Sequence, residues 1–113
     1  MRRIDDAERR RFLAAGVIAG GSLLLARPVV AASVAEMGGE VLVNGRRAMR
    51  DAVIRAGDTV KTGANAMLTF VVGADAFRLR AMSELVLEAK ADSVFITGLR
   101  LVTGGLQIGR AHV

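Results

Sequence analysis

A chain of 113 residues, 52% hydrophobic and 24% charged, suits one small globular domain built on a single core. Cys is absent, which excludes a disulfide framework, a thiolate metal site and thiol nucleophiles, and the one His, His112, stands at the far end. The formal net charge of +5 is uneven: residues 1–32 carry six Arg against Asp5, Asp6 and Glu8, and the other 81 residues carry ten basic against eight acidic side chains. With Trp and Tyr absent and Phe70, Phe77 and Phe95 set among aliphatics, a stacking platform is missing and no nucleic-acid partner is expected.

Residues 1–32 have three parts in order: an Arg-rich head, an uncharged run from Phe12 to Ala26, and a small-residue end. That is the layout of an export signal. The run is 15 residues long and contains Gly16, Gly20 and Gly21, whereas a membrane-spanning helix needs about 20 mostly apolar residues. A leader helix is therefore expected here, in contact with the membrane only during export. Arg9-Arg10-Arg11-Phe12-Leu13 resembles the twin-arginine motif, with Arg9, Arg10, Phe12 and Leu13 as its signal residues, while Glu8 and Ala14 depart from the usual flanks. General secretion is the alternative route. Val30-Ala31-Ala32 offers a cleavage site after Ala32, and Ser33-Val34-Ala35 a second, so the mature chain is expected to begin at Ser33 or Glu36. An uncleaved amphipathic or buried helix is the plainer reading of the same residues.

Beyond Ala35 the apolar period becomes two, in Val41 and Val43; Ala66, Leu68, Phe70 and Val72; Phe77 and Leu79; Leu85 and Leu87; Leu99 and Leu101. These predict an all-β fold of short strands. Turn chemistry separates them at Asn44-Gly45, Ala56-Gly57-Asp58, Thr62-Gly63-Ala64-Asn65, Gly73-Ala74-Asp75, Asp92-Ser93 and Thr97-Gly98. Only Ala48 to Arg55 offers a helical turn. Arg78, Arg80, Glu84, Glu88 and Arg100 alternate with the apolar residues, which predicts a wet face on each strand and pairing of Arg78 and Arg80 with Glu84 and Glu88 across one ladder.

Three stretches carry a family resemblance: Gly39-Glu40-Val41-Leu42-Val43-Asn44-Gly45; Ile54 to Ala66, with Gly57-Asp58-Thr59-Val60-Lys61-Thr62-Gly63 at its centre; and Phe77-Arg78-Leu79 followed by Ser83-Glu84-Leu85-Val86-Leu87. Together they resemble the FecR domain over about residues 38–106. The resemblance implies a small solenoid-like or sandwich-like extracytoplasmic domain, here residues 33–106, that is not an enzyme and acts as a protein-interaction or sensory module of the bacterial envelope, periplasmic or secreted. Its best-known members span the inner membrane and relay the occupancy of an outer-membrane iron transporter to a cytoplasmic sigma factor. Only eight residues precede Arg9, so their cytoplasmic regulatory domain is not expected here. The expected partner is another envelope protein. An envelope structural or glycan-binding module, or a fragment of a longer protein, is the alternative.

The residues themselves give the central stretch a structural role. Gly57 and Gly63 supply backbone freedom, Asp58 accepts hydrogen bonds from turn N–H groups, and Val60 points inward between Thr59 and Lys61. A phosphate cradle needs a Gly-x4-Gly-Lys-Ser/Thr order and a following helix, and neither is present. The carboxylates Asp58, Asp75, Glu84, Glu88 and Asp92 follow no metal-loop or acid–base spacing, so no metal, cofactor or catalytic residue is expected.

The chain closes on Gly104 to Val113. FecR-like chains continue past Gly104-Gly105-Leu106 into further strands. Ile108-Gly109-Arg110-Ala111-His112-Val113 followed by a stop is the translation of a widely used sequencing-library adapter. Residues 107–113 are therefore expected to be an adapter scar, His112 to be without function, and the last strand, Leu99 to Thr103, to lack a neighbour.

Overall fold

The computed structural model describes residues 17–110. Twelve strands run through them: β1 (Val17–Ile18), β2 (Gly21–Val29), β3 (Ala31–Gly38), β4 (Val41–Val43), β5 (Arg46–Arg47), β6 (Val53–Arg55), β7 (Thr59–Thr62), β8 (Met67–Val72), β9 (Asp75–Leu79), β10 (Glu84–Glu88), β11 (Ile96–Thr103) and β12 (Leu106–Arg110). There is no helix among the described residues. The strands form two antiparallel six-stranded sheets, one in the order β1-β12-β9-β8-β3-β6 and the other β2-β11-β10-β7-β4-β5.

One core lies between them. Leu68, Phe70, Phe77, Leu79 and Leu106 reach it from the first sheet and Val41, Val60, Leu85, Leu87, Leu99 and Leu101 from the second, all nearly or wholly buried. Two sheets over one core make a sandwich and not a solenoid. The period-two pattern explains it directly, because alternate side chains of each strand point to one face. Phe70 and Phe77 stand opposite each other on β8 and β9 with ring centroids 5.5 Å apart, a stacked pair that contributes about 0.5 to 1.5 kcal/mol beyond its burial.

Turn chemistry sets the hairpins. Asn44 and Gly45 both take positive φ, 54° and 81°, as a two-residue turn between β4 and β5 requires. Gly73, at φ 63°, does the same between β8 and β9. Thr97-Gly98 is no turn: it lies inside β11, where a Cβ on Gly98 would come within 2.8 Å of the Leu23 carbonyl oxygen on β2. Between β5 and β6, the stretch from Ala48 closes as a turn through Ala52 N–H to Met49 O at 3.0 Å, and Val53 to Arg55 is strand rather than helix.

The segment expected to be a leader departs most from expectation. From Val17 onward it is strand, not helix. Gly20 and Gly21 sit at φ 88° and 115°, outside helical geometry, and Pro28 with the β-branched Val29 and Val30 favours extended chain. β2 joins β11, and β3 joins both β6 and β8. Consequently β11 lies between β10 and β2 and has a neighbour on each side, against the open edge expected for Leu99 to Thr103. Leu106–Arg110 pairs with β9 over its whole length, with Ile108 packed against the core. Residues 107–110 of the expected adapter scar thus lie in β12, and His112 lies outside the described residues.

The sheet edges fall on strands that follow each other in the chain: β1 and β6 end the first sheet, β2 and β5 the second.

Candidate functional site

The Gly57–Gly63 stretch was the most specific motif in the sequence, and its acid is fully engaged. Asp58 Oδ2 accepts from Arg55 N–H at 2.8 Å, closing the turn between β6 and β7, and Asp58 Oδ1 accepts from Asn44 Nδ2 at 2.8 Å. Asn44 in turn accepts on Oδ1 from Thr59 N–H at 2.9 Å, and its own N–H donates to Thr59 O at 2.8 Å. Asn44 thus acts as an extra rung between the β4–β5 turn and β7. Gly57 has φ 88°, and its N–H donates to Leu87 O at 2.7 Å, which docks the turn on β10. Val60 is buried while Thr59 is half-buried and Lys61 exposed, as the alternation predicts. Asp58 gives its oxygens to the fold.

Gly63 has a different role from the one expected. Its φ is not in the left-handed region, and a Cβ there would meet Glu40 atoms no closer than 3.6 Å, an ordinary contact. What matters at Gly63 is its backbone: N–H donates to Glu40 O at 3.0 Å and O accepts from Met82 N–H at 3.1 Å. A residue that does need to lack a side chain is Gly104, at φ 93°, where a Cβ would overlap Ser83. Ser83 Oγ accepts from Gly105 N–H at 3.0 Å, Ser83 N–H donates to Thr62 Oγ1 at 3.0 Å, and Thr62 N–H donates to Ser83 O at 2.9 Å. This buried pair ties β7, the β9–β10 loop and the β11–β12 turn together, and nothing in the spacing of Thr62, Ser83 and Gly104 announced it.

The charged side chains do not gather on one surface. Arg78 is on the first sheet, whereas Glu84 and Glu88 are on the second, so the ladder expected between them does not form. Arg78 lies across Thr69 and meets Glu36 at 3.6 Å, both side chains less than a quarter exposed. Glu84 meets Lys61 at 3.7 Å, Glu88 meets Arg100 at 3.5 Å, and Arg47 meets Glu40 at 3.7 Å. Among the described residues no three His, Asp or Glu side chains are grouped so as to hold a metal ion.

One stretch stands apart. In residues 46–55, which include both edge strands β5 and β6, four of ten residues are Arg against the single acid Asp51. Met49 is 67% exposed and Val53 46%. Arg46, Arg50 and Arg55 are exposed and make no ion pair with a described residue.

Ala32, the expected cleavage residue, is 1% exposed on β3, opposite Ile54 of β6. Arg9, Arg10, Phe12 and Leu13 lie outside the described residues. No helix among the described residues is long and apolar enough to cross a membrane. No known family model matches this chain, and no curated protein or solved structure matches it either.

Proposed function

We propose that the chain is a FecR-like, non-catalytic interaction module of the bacterial envelope, exported behind the leader in residues 1–32 and docking an acidic envelope protein. The observation that carries the docking is the β5–β6 edge: exposed Met49 and Val53 beside Arg46, Arg50 and Arg55, with short strands whose outer backbone groups face solvent. Met and Arg are enriched at protein interfaces, and Arg offers planar, bidentate pairing to carboxylates. The Asp58 turn supports this edge from behind by fixing Arg55 and the β4–β5 hairpin in place.

Export and fold make competing demands on Val17 to Ala32, because a leader has to be free of the fold and accessible when it is recognised and cleaved, and here Ala32 is buried on β3. The reading therefore requires β1, β2 and the first two residues of β3, Ala31 and Ala32, to leave the sandwich at the membrane.

The test is capture from envelope extract by the full chain, run beside an Arg50→Glu, Arg55→Glu variant of equal melting temperature. A discrete protein that is captured by the parent, released by salt and lost with the variant supports the proposal. Capture of insoluble wall material by both chains points to the glycan-binding alternative, and equal capture of the same protein by both chains removes this edge from the interface.

A further inference from the structure

β2 differs from every other long strand in how it is held. Its residues Gly21 to Leu24 pair one-to-one with Leu101 to Gly98 of β11, then the register breaks, and pairing resumes only at Val29 with Ile96. Four residues, Leu25 to Pro28, thus stand against Thr97 alone. No described side chain of β1 or β2 is among the fully buried core residues; Leu23, Leu25 and Val29 are half-buried and Leu24 is 85% exposed. β11 beneath it is the reverse, with Ile96, Leu99 and Leu101 at 0%, 1% and 3% exposure. A strand with little buried area and an interrupted ladder opens at far lower cost than the core strands.

The receiving side is shaped for a strand. Gly98 has an ordinary φ, so its missing side chain serves space and not backbone conformation: the carbonyl of Leu23 occupies the room a Cβ would take. Leu23 and Leu25, on the same face of β2, lie over the core beside Leu99, while Ser22 and Leu24 face outward.

We propose that β1–β2 is a displaceable strand pair, and that β11, once the leader is withdrawn, accepts an extended segment of a partner protein bearing aliphatic side chains at alternate positions. This rests on the export reading above. The occupant's chemistry is that of the segment now seated there: backbone N–H and C=O groups complete the β11 ladder, two inward aliphatics two residues apart replace Leu23 and Leu25, and a polar or apolar residue is accepted between them. Left empty, β11 is an open edge with Ile96, Leu99 and Leu101 partly uncovered, which gives the acceptor its driving force and its selectivity for strands.

The experiment uses the full chain with a protease recognition sequence inserted at Val30, the exposed bend between β2 and β3. After cutting, a labelled peptide of residues 21–29 is added. The expected result is retention of the folded sandwich by circular dichroism, exchange of the labelled peptide for the cut segment, and at least a tenfold loss of binding when Leu23 and Leu25 of the peptide are both Asp. Unfolding on cutting would show the pair to be integral and would overturn the proposal, as would equal binding of the two peptides, or pairing of cut chains with each other in place of the peptide. Hydrogen exchange on the uncut chain gives a second measure: Gly21 to Leu24 amides should exchange at least a hundredfold faster than those of β8 and β9, and equal protection overturns displaceability. Terminal sequencing of the exported protein separates the two ideas, since a product that retains residues 17–32 defeats the export reading whatever the peptide does.

Discussion

Asn44 and Asp58 are fourteen residues apart in the chain and joined by a 2.8 Å hydrogen bond that neither could form locally. Asn44 reaches it because it holds φ at 54°, a conformation Asn tolerates better than other side chains, and Asp58 because its other oxygen is already fixed on Arg55 N–H. Asp58→Ala should lower stability by about 0.5 to 2 kcal/mol, the range for a lost side-chain cap. Asn44→Ala should cost about 1 to 3 kcal/mol, since it loses two bonds and leaves an Ala in the left-handed region. The double variant should destabilise by less than the sum, by about 0.5 kcal/mol or more in a denaturant-based cycle. Simple additivity would show that the bond contributes nothing in solution.

Two glycines that look alike in the sequence should behave oppositely. Gly104→Ala places a Cβ onto Ser83 at a φ of 93° and should cost about 3 kcal/mol or more, or prevent folding. Gly63→Ala meets only ordinary contacts and should change stability by less than about 1 kcal/mol. Paired thermal melts decide the matter, and a tolerated Gly104→Ala would mean that the β11–β12 turn is not packed on Ser83.

Arg78 covers Thr69, which is fully buried although it faces away from the core, and meets Glu36 on β3. Arg78→Ala should uncover Thr69, strip Glu36 of its cation and destabilise by about 1 to 3 kcal/mol. Glu88→Gln, which breaks the more exposed pair of Glu88 with Arg100, should stay within about 0.5 kcal/mol. Similar losses from the two would indicate that burial does not separate these ion pairs.

On the proposed export reading, export should depend on the guanidinium pair. With Arg9→Lys and Arg10→Lys, an uncleaved precursor should accumulate in the cytoplasm, because twin-arginine recognition reads planar guanidinium groups and not charge alone. Fractionation with terminal sequencing checks this. Normal export of the variant would move the chain to the general secretory route, and the parent's exported product should begin at Ser33 or Glu36.

Beyond Ala35, the strand content, most of the inward residues and the turns at Asn44-Gly45 and Gly73-Ala74 were legible in the sequence by itself, because a period of two and turn chemistry act over neighbouring residues; the strands before Ala35, the β11–β12 turn and the place of Thr97-Gly98 inside β11 were not. Leu68, Phe70, Leu79, Leu85, Leu87, Leu99 and Leu101 are buried as their alternation required. Local chemistry also gave Asp58 its turn-closing bond. Pairing across the chain was not legible: whether Arg78 meets Glu84 or Glu36 depends on which sheet each strand joins, and no periodicity carries that information. The segment expected to be a leader shows the same limit from the other side. An uncharged run containing Gly16, Gly20 and Gly21 has the composition of an export signal, yet its described part, from Val17, also fits beside β11 and β12. Composition left both fates open to that segment, and only the tertiary structure gave it a place in the sandwich, because a strand's place is decided by the backbone groups and apolar surface that distant residues leave for it to cover.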